Sequence, residues 1–247
     1  MKKEICNFLD LFQHDKPIIG MIHLNGNDDI DILTKAIREV GVYTKNGIDA
    51  VLIENYFGDV NNVEQVLDYL YNYQDSIIYG VNVLGDYNKA FELANKYAAK
   101  FIQIDSVAGH LNFFNDCIFE NDIKYLRSSS EAFVLGGVRF KYQPYLSGRS
   151  LEEDLVIGMN RCDAIVVTGT GTGKETDLEK IKKFREILKN YPLIIGAGLN
   201  PDNCEKQLLI ADAGIVGSYL KTQHKDYGDV SLEYVDELVG KVKRLRR

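Results

Sequence analysis

The stretch AIVVTGTGTGKETDLEKI, residues 164–181, contains an apolar run, a glycine-rich loop and the beginning of a helical pattern. The run AIVVTG (164–169) has few polar positions, which is typical of a strand covered on both faces. Asp177 is a suitable N-cap for the helix predicted over 177–190. A strand, a loop and a helix in this order form the unit from which parallel sheets are built.

The same unit recurs along the whole chain of 247 residues. The other apolar runs are IIGMIH (18–23), AVLIEN (50–55), IIYGVNVL (77–84), FIQID (101–105), FVLGGVRFK (133–141), LIIGAGL (193–199) and AGIVGSYL (213–220). The other helical patterns cover 29–46, 61–74, 88–99, 121–130, 151–160, 202–210 and 231–245, with Asn61 and Ser231 as further N-caps.

Eight strand-helix units in a chain of this length predict an α/β fold, a single (β/α)8 TIM barrel. Residues 1–17 form a lead-in and 231–247 the last barrel helix, and no linker divides the chain into two domains. An open doubly wound sheet is the alternative, although such sheets usually stop at five or six parallel strands.

Composition excludes several classes of partner. With 29 basic and 36 acidic residues the net charge is −7, which disfavours nucleic acid. The basic tail KVKRLRR (241–247) continues a helical apolar stripe, so we interpret it as the end of a helix. We expect no signal peptide, and no run of about 20 apolar residues occurs in the sequence. The cysteines at 6, 117, 162 and 204 form no Cys-x-x-Cys pair, and we expect a cytoplasmic protein without a cofactor that can form a homo-oligomer.

The glycine-rich loop does not match a P-loop. Counting back from Gly173-Lys174, the first required glycine falls on Thr168 and the required Ser or Thr falls on Glu175. In a barrel, a loop after a strand opens onto the C-terminal face, where active sites lie. The loop therefore predicts a flexible lid, formed by Thr168, Gly169, Gly171, Gly173 and Lys174.

The next two units predict a phosphate site. Barrels often hold a substrate phosphate with the loops after strands seven and eight, where glycine lets the backbone approach a ligand closely. The candidates are Gly196, Gly198, Gly217 and Ser218. Glycines placed only for tight packing are the alternative.

Polar residues collect at the predicted strand ends, where burial without partners is costly. We predict Lys141, Glu54 and Asp105 as catalytic, because a carboxylate and an amine in one cleft suit acid-base or Schiff-base chemistry. Three further residues should line the substrate: His23, Asn82 and Arg139, the last on the same face as Lys141. A salt bridge between Glu54 and Lys141 is the structural alternative. His23 and His110 are too few to predict a metal site.

Several motifs together resemble the BtpA/SgcQ family of (β/α)8 barrel proteins: GMIHL (20–24), ENYFGD (54–59), GVNVL (80–84), DAIVVTGTGTGKETD (163–177) and IVGSYLK (215–221). The resemblance implies the barrel fold over nearly the whole chain and adds Asp59 to the predicted lining. The positions on the family's pattern are His23, Glu54, Asn55, Gly58-Asp59, Asn82, Lys141, Thr168-Gly169, Thr172-Gly173, Asp177, Gly196, Gly198, Gly217-Ser218 and Lys221. The chain departs from the pattern in its short NGNDD loop, in Lys141-Tyr142 and in Tyr56-Phe57.

These observations leave three hypotheses open. The first is an enzyme that binds a small phosphorylated metabolite, a sugar or nucleoside-like phosphate, with lyase, isomerase or aldolase chemistry. The second is a non-catalytic assembly factor, because the resemblance includes members named for photosystem I assembly. The third is a nucleotide hydrolase. The glycine-rich loop suggests this function, but its spacing does not match a P-loop, which disfavours it.

Overall fold

The computed structural model of the protein describes residues 7–74 and 76–246. Within these residues, eight strands alternate with eight α-helices. The strands are β1 (Ile18–Ile22), β2 (Ala50–Glu54), β3 (Tyr79–Asn82), β4 (Phe101–Ala108), β5 (Phe133–Val138), β6 (Ala164–Val167), β7 (Leu193–Ile195) and β8 (Ala213–Val216). The helices are α1 (Asp29–Lys45), α2 (Val60–Tyr73), α3 (Tyr87–Lys96), α4 (Phe113–Ser128), α5 (Leu151–Arg161), α6 (Leu178–Leu188), α7 (Cys204–Leu208) and α8 (Leu232–Lys243).

The sheet is parallel and closed. Each strand pairs with the next along the chain, and β8 pairs back with β1. The closing register places Ile18 opposite Gly214 and Ile19 opposite Ile215. The predicted (β/α)8 barrel is therefore confirmed, and the open doubly wound sheet is excluded.

The interior of the barrel is filled by side chains that alternate with those facing the helices. Leu52, Phe101 and Val166 belong to this inner cluster. Phe8, in a 3-10 helix at Phe8–Leu11, is fully buried in the same cluster, with its ring 5.7 Å from the ring of Phe101. Because Phe101 is the first residue of β4, Phe8 closes the N-terminal end of the barrel and leaves the C-terminal end for a cavity.

The helices pack their apolar sides on the outside of the barrel. In α8, Val235, Leu238 and Val242 are fully buried, as expected for a barrel helix. No helix among the described residues is long and apolar enough to cross a membrane. Three cysteines are free thiols: Cys117, Cys162 and Cys204. Cys6 lies outside the described residues.

The predicted helix caps are correct in part. Asp177 caps α6 by accepting a hydrogen bond from the Lys180 backbone N–H, as expected. Asn61 does not cap α2, because Asp59 occupies that position in a capping box with Asn62. Ser231 precedes α8 but makes no side-chain cap hydrogen bond.

Two element boundaries differ from the prediction in ways that affect the mouth of the barrel. Strand β5 ends at Val138 and not at Lys141, because Arg139 has a left-handed backbone with φ of +49°. Helix α4 begins at Phe113, where Asn112 caps it, and not near residue 121. Its first turn carries the rings of Phe113 and Phe114, which are exposed, so these two apolar residues do not mark a buried face of the helix.

Gly80 in β3 provides a test of the core packing. An added Cβ at this position would lie 2.3 Å from the ring of Phe101. We expect Gly80→Ala to lower the free energy of unfolding by about 1–3 kcal/mol, because extra volume forces a packed core to shift. Denaturant unfolding curves measure the change.

Gly41 in α1 is the matched control, since nothing lies within 4 Å of an added Cβ there. Gly41→Ala should be neutral or raise the stability by about 0.5–1 kcal/mol, because alanine is the better helix former. Equal losses in both variants would contradict the close packing of β3 against β4.

Candidate active site

A cavity of about 430 Å³ opens at the C-terminal end of the barrel. Its lining comes from residues far apart in the sequence, among them His23 after β1, Glu54 of β2, Asp105 of β4 and Lys141 after β5. The parallel direction of the strands brings these ends together. All three predicted catalytic residues therefore line one cavity.

Two carboxylates share one amide at the floor of this cavity. The side-chain amide of Asn82 donates to Glu54 Oε2 at 2.7 Å and to Asp105 Oδ1 at 3.2 Å. Gln103, two residues before Asp105 and on the same face of β4, donates to the same Oδ1 at 3.4 Å. Asn82 itself is 2% exposed, so it positions the carboxylates from below.

Glu54 is electrostatically the most unusual of these groups. Burial, together with the nearby carboxylate of Asp105, raises the pKa of Glu54 from 4.5 to about 7. The charge of Lys141 and the hydrogen bond from Asn82 oppose this rise. A carboxyl with a pKa near neutrality can both give and take a proton at physiological pH, which is the requirement for general acid-base catalysis.

Lys141 reaches the same cavity from the loop after β5. Its backbone N–H donates to Thr168 Oγ1 at 2.9 Å, which fixes this loop to the end of β6. Among the described residues, no carboxylate lies within 4 Å of Lys141 Nζ, so the salt bridge with Glu54 that was the structural alternative is not formed. The amine instead lies 5.6 Å from the centre of the Phe140 ring.

His23 is held as a neutral imidazole. Burial and the charges of Lys221 and Lys141 lower the pKa of His23 to about 3. Its Nδ1 is 3.0 Å from the carbonyl oxygen of Asp226, which accepts only, so Nδ1 carries the proton. Nε2 therefore presents a lone pair, and it lies 4.0 Å from Glu54 Oε1.

The predicted phosphate residues form the wall of the cavity opposite Asp105: Gly196, Gly198, Gly217 and Ser218 all line it. Gly198 has a φ of +71°, and an added Cβ would lie 2.2 Å from the Lys174 carbonyl oxygen, so only glycine fits there. The hydroxyl of Ser218 donates to Asp226. At Gly196, Gly198 and Gly217 the backbone therefore lies next to the cavity without a side chain, whereas Asn200 and Tyr219 also line this wall.

The glycine-rich loop is anchored at both of its ends. Thr168 is fully buried, and the backbone N–H of Thr172 donates to the hydroxyl of Tyr142 at 2.9 Å. Thr176 donates to the Ala197 carbonyl at 3.0 Å. Gly169 and Gly171 pass close to Glu175 and Tyr142, whereas Thr172 and Gly173 line the cavity. Lys174 is exposed and lies outside the lining.

Two predicted lining residues lie elsewhere. Asp59 is exposed and caps α2, as described above. Arg139 does not share a face with Lys141, because its left-handed backbone breaks the strand alternation. Its Nε donates to Asp154 of α5 at 2.9 Å, outside the barrel.

Asp154 is part of a network of ion pairs that supports the neighbouring loop and α4. Arg149 donates to Asp154 at 3.0 Å and to Asp116 of α4 at 2.9 Å. Arg161 donates to the same Asp116 at 2.7 Å, and its guanidinium carbon lies 5.7 Å from the centre of the Phe119 ring. The network fixes α4 to α5 and to the loop that carries Lys141.

Sequence reasoning missed several residues of the site. Gln103 could have been found from the period of two along β4. Asp226 gave no signal, because it lies in an irregular loop after β8. Lys221, on the family's pattern, is 1% exposed and pairs with Glu39 of α1 at 3.7 Å, which holds that loop against α1.

No group of three or more His, Cys, Asp or Glu side chains within residues 7–74 and 76–246 is arranged to hold a metal ion.

The closed parallel sheet defines the class as a (β/α)8 barrel, here with a polar cavity at its C-terminal end. The chain belongs to the BtpA family, whose sequence model matches residues 14–244.

Relatives span nearly the same length. A protein of Pyrococcus abyssi (strain GE5 / Orsay) named as uncharacterized is 30% identical over 257 residues, covering 94% of this chain and 97% of its own. The photosystem I biogenesis protein BtpA of Synechocystis is 27% identical, with coverages of 85% and 82%. The putative sgc region protein SgcQ of Escherichia coli is 25% identical, with coverages of 94% and 96%. The family indicated by the sequence motifs is confirmed.

Solved structures share the fold at low identity. One described as native KDPGal has a TM-score of 0.62 at 14% identity and covers 92% of this chain and 93% of its own. The phosphoribosyl anthranilate isomerase of Thermus thermophilus has a TM-score of 0.62 at 13% identity, with coverages of 93% and 100%. Such identities establish the barrel alone.

The raised pKa of Glu54 predicts a pH-dependent stability. Its carboxyl stabilises the fold only while protonated, so this contribution is complete below about pH 4.5 and is lost as the pH rises through about 7. Glu54→Gln does not titrate. We expect the stability of the wild type relative to this variant to fall by about 2–3 kcal/mol across that window.

Unfolding curves recorded at several pH values measure the difference. Glu131, an exposed carboxylate, changed to Gln in the same way serves as the control. Parallel stability profiles for the wild type and Glu54→Gln would contradict the raised pKa.

Proposed function

We propose that the protein is an enzyme that acts on a small phosphorylated metabolite by general acid-base chemistry of the lyase, isomerase or aldolase type. The observation that carries the proposal is Glu54, a buried carboxyl whose pKa is raised to about 7, in one cavity with Lys141 and Asp105. A scaffold gains nothing from an acid held near its titration point in a cavity, since perturbed groups of this kind collect at functional sites.

In this mechanism Glu54 moves the proton. Its ionised form removes a proton from the substrate, and its protonated form returns a proton to another atom of the substrate. Lys141, which has no paired carboxylate within 4 Å among the described residues, stabilises the negative charge that develops on the substrate. Burial and the nearby Asp105 carboxyl group keep the pKa of Glu54 high, and the Asn82 amide, which donates to both carboxyl groups, fixes the distance between them.

The glycine wall supplies the anchor. Gly196, Gly198 and Gly217 leave backbone next to the cavity, and the loops after β7 and β8 are the usual phosphate site of this fold. Phosphate held there places the carbon atoms of a short substrate over Glu54 and Lys141. Binding energy from the phosphate is then used to position the reacting atoms.

A role in assembly is the second candidate, because the Synechocystis relative is named for photosystem I biogenesis. The observation in its favour is the outer face of α4, where the rings of Phe113 and Phe114 are 79% and 72% exposed. Such a role would use this outer surface and would not require Lys141. A single stoichiometric protein partner, still bound by Lys141→Ala and lost from a Phe113→Ser variant, would favour this candidate over the enzyme.

Ligand-induced stabilisation tests the enzyme proposal. A ligand at one hundred times its dissociation constant stabilises the fold by about 2.7 kcal/mol, which for a chain of this size raises the Tm by roughly 5–10 °C. We expect such a shift with at least one member of a panel of sugar phosphates and nucleotides. The unphosphorylated form of the same compound should give none.

Two lysine variants are the controls for this experiment. Lys141→Ala should weaken binding by about tenfold or more, because it removes a charged contact. Lys174→Ala should bind as the wild type does, since Lys174 lies outside the cavity lining. A loss of binding in Lys174→Ala alone would favour the nucleotide hydrolase, and no shift with any phosphorylated compound would contradict the proposal.

Borohydride trapping separates the two chemistries that the cavity permits. In Schiff-base chemistry the Lys141 amine attacks a substrate carbonyl, water leaves, and hydride from borohydride reduces the imine to a stable amine. If the chemistry is acid-base catalysis at Glu54, we expect mass spectrometry to show no borohydride-reduced adduct on Lys141. A substrate-dependent mass increase on the Lys141 peptide would overturn that assignment in favour of the Schiff base.

A further inference from the structure

A second cavity, of about 410 Å³, lies beside the first on the opposite side from the glycine wall. It is lined by the loops after β3 and β4, by Gln143 of the loop after β5, and by the start of α3 and the first two turns of α4. Its volume is within the range of cavities that hold small ligands, roughly 300–1,000 Å³.

The two cavities meet at the predicted catalytic residues. Gln103 and Asp105 line both of them, and Asn82, which donates to Glu54, lines the second. In a ring of eight strands, β3 and β4 lie directly across the mouth from β7 and β8. A ligand that spans both cavities would therefore lie over Glu54 and Asp105.

The walls of the second cavity are aromatic and aliphatic. The Phe119 ring meets the Tyr87 ring edge to face at 5.2 Å and the His110 ring in the same way at 5.4 Å. Leu111 and Ile118 complete the apolar part, and Ile118 is 48% exposed although it lies on this wall. Flat apolar surfaces of this kind suit a planar ring.

The polar groups of this cavity suit a hydrogen-bonding edge and disfavour a second anion. Asp86 and Asp105 line it, and no Lys or Arg does among the described residues. Burial lowers the pKa of His110 to about 4, so its ring is neutral, and its buried Nδ1 has no hydrogen-bond partner within the described part of the chain. An unpartnered buried nitrogen is costly, and a ligand that forms a hydrogen bond with the imidazole would remove that cost.

We propose that this second cavity binds the nitrogen heterocycle of a ligand whose phosphate lies on the glycine wall, so that the substrate belongs to the nucleoside monophosphate class and not to the simple sugar phosphates. The inference rests on the proposed function, because it takes the phosphate end from it. The heterocycle packs on Phe119 and Tyr87 and uses its polar edge toward His110, with the ribose between the two cavities. The bonds of that ribose and its link to the ring then lie next to Glu54, Asp105 and Lys141.

Calorimetric titration of the full chain tests the inference with ribose 5-phosphate and the monophosphates of adenosine, guanosine, cytidine and uridine. At least one nucleotide should bind about tenfold or more tightly than ribose 5-phosphate, since stacking of one base supplies that much affinity. Ile118→Asp and His110→Leu should remove this preference without weakening ribose 5-phosphate. Val156→Asp on α5, a 47% exposed aliphatic residue outside both cavities, is the matched control.

The outcomes separate the two proposals. Ribose 5-phosphate binding as tightly as every nucleotide, or a nucleotide preference that survives in both cavity variants, overturns the inference and leaves the proposed function standing. Failure of every phosphorylated probe to bind overturns both.

Discussion

The pairing of β8 with β1 is the constraint on which the rest of the structure depends. Once the sheet closes with all strands parallel, the C-terminal ends of all strands lie at the same rim, and residues 203 positions apart in the sequence become neighbours. His23 after β1 and Asp226 after β8 meet in this way, at 3.0 Å. Phe8 fills the other end, so the polar groups at the rim surround the cavity that remains.

The strict alternation of a strand decides which polar groups enter that cavity. Glu54 faces inward, whereas Asn55, the next residue, turns outward and accepts a hydrogen bond from the backbone N–H of Leu84 at 2.7 Å. Burying a charge in this way is costly unless it is paired or neutralised. Burial, and then the Asp105 carboxyl group beside it, raise the pKa of Glu54, so that Glu54 keeps its proton to a higher pH. The raised pKa of Glu54 is thus a direct consequence of the register of the strands.

This alternation also explains how much could be predicted from the sequence. The eight units, the barrel and the inward positions of Glu54 and Asp105 follow from apolar runs and a period of two. Arg139 could not be placed correctly, because its own backbone is left-handed and ends β5 at Val138. An arginine in the sequence does not indicate such a conformation. Asp59 was misplaced because a helix cap and a site residue look alike in sequence. Asp226 lies in a loop whose path depends on Glu39 and Lys221, an ion pair between segments distant in the chain.

The guanidinium group of Arg161 has a further consequence through its contact with Phe119. The Arg161 guanidinium is itself fixed by its hydrogen bond to Asp116. The Phe119 ring is therefore supported on its side away from the second cavity, whether or not a ligand is bound. A wall that is already rigid loses little conformational entropy when a partner packs on it, and such preorganisation is a general source of affinity. The shape of that half of the mouth is therefore set when the chain folds, and the ligand that we propose for the second cavity would pack there without requiring the protein to move.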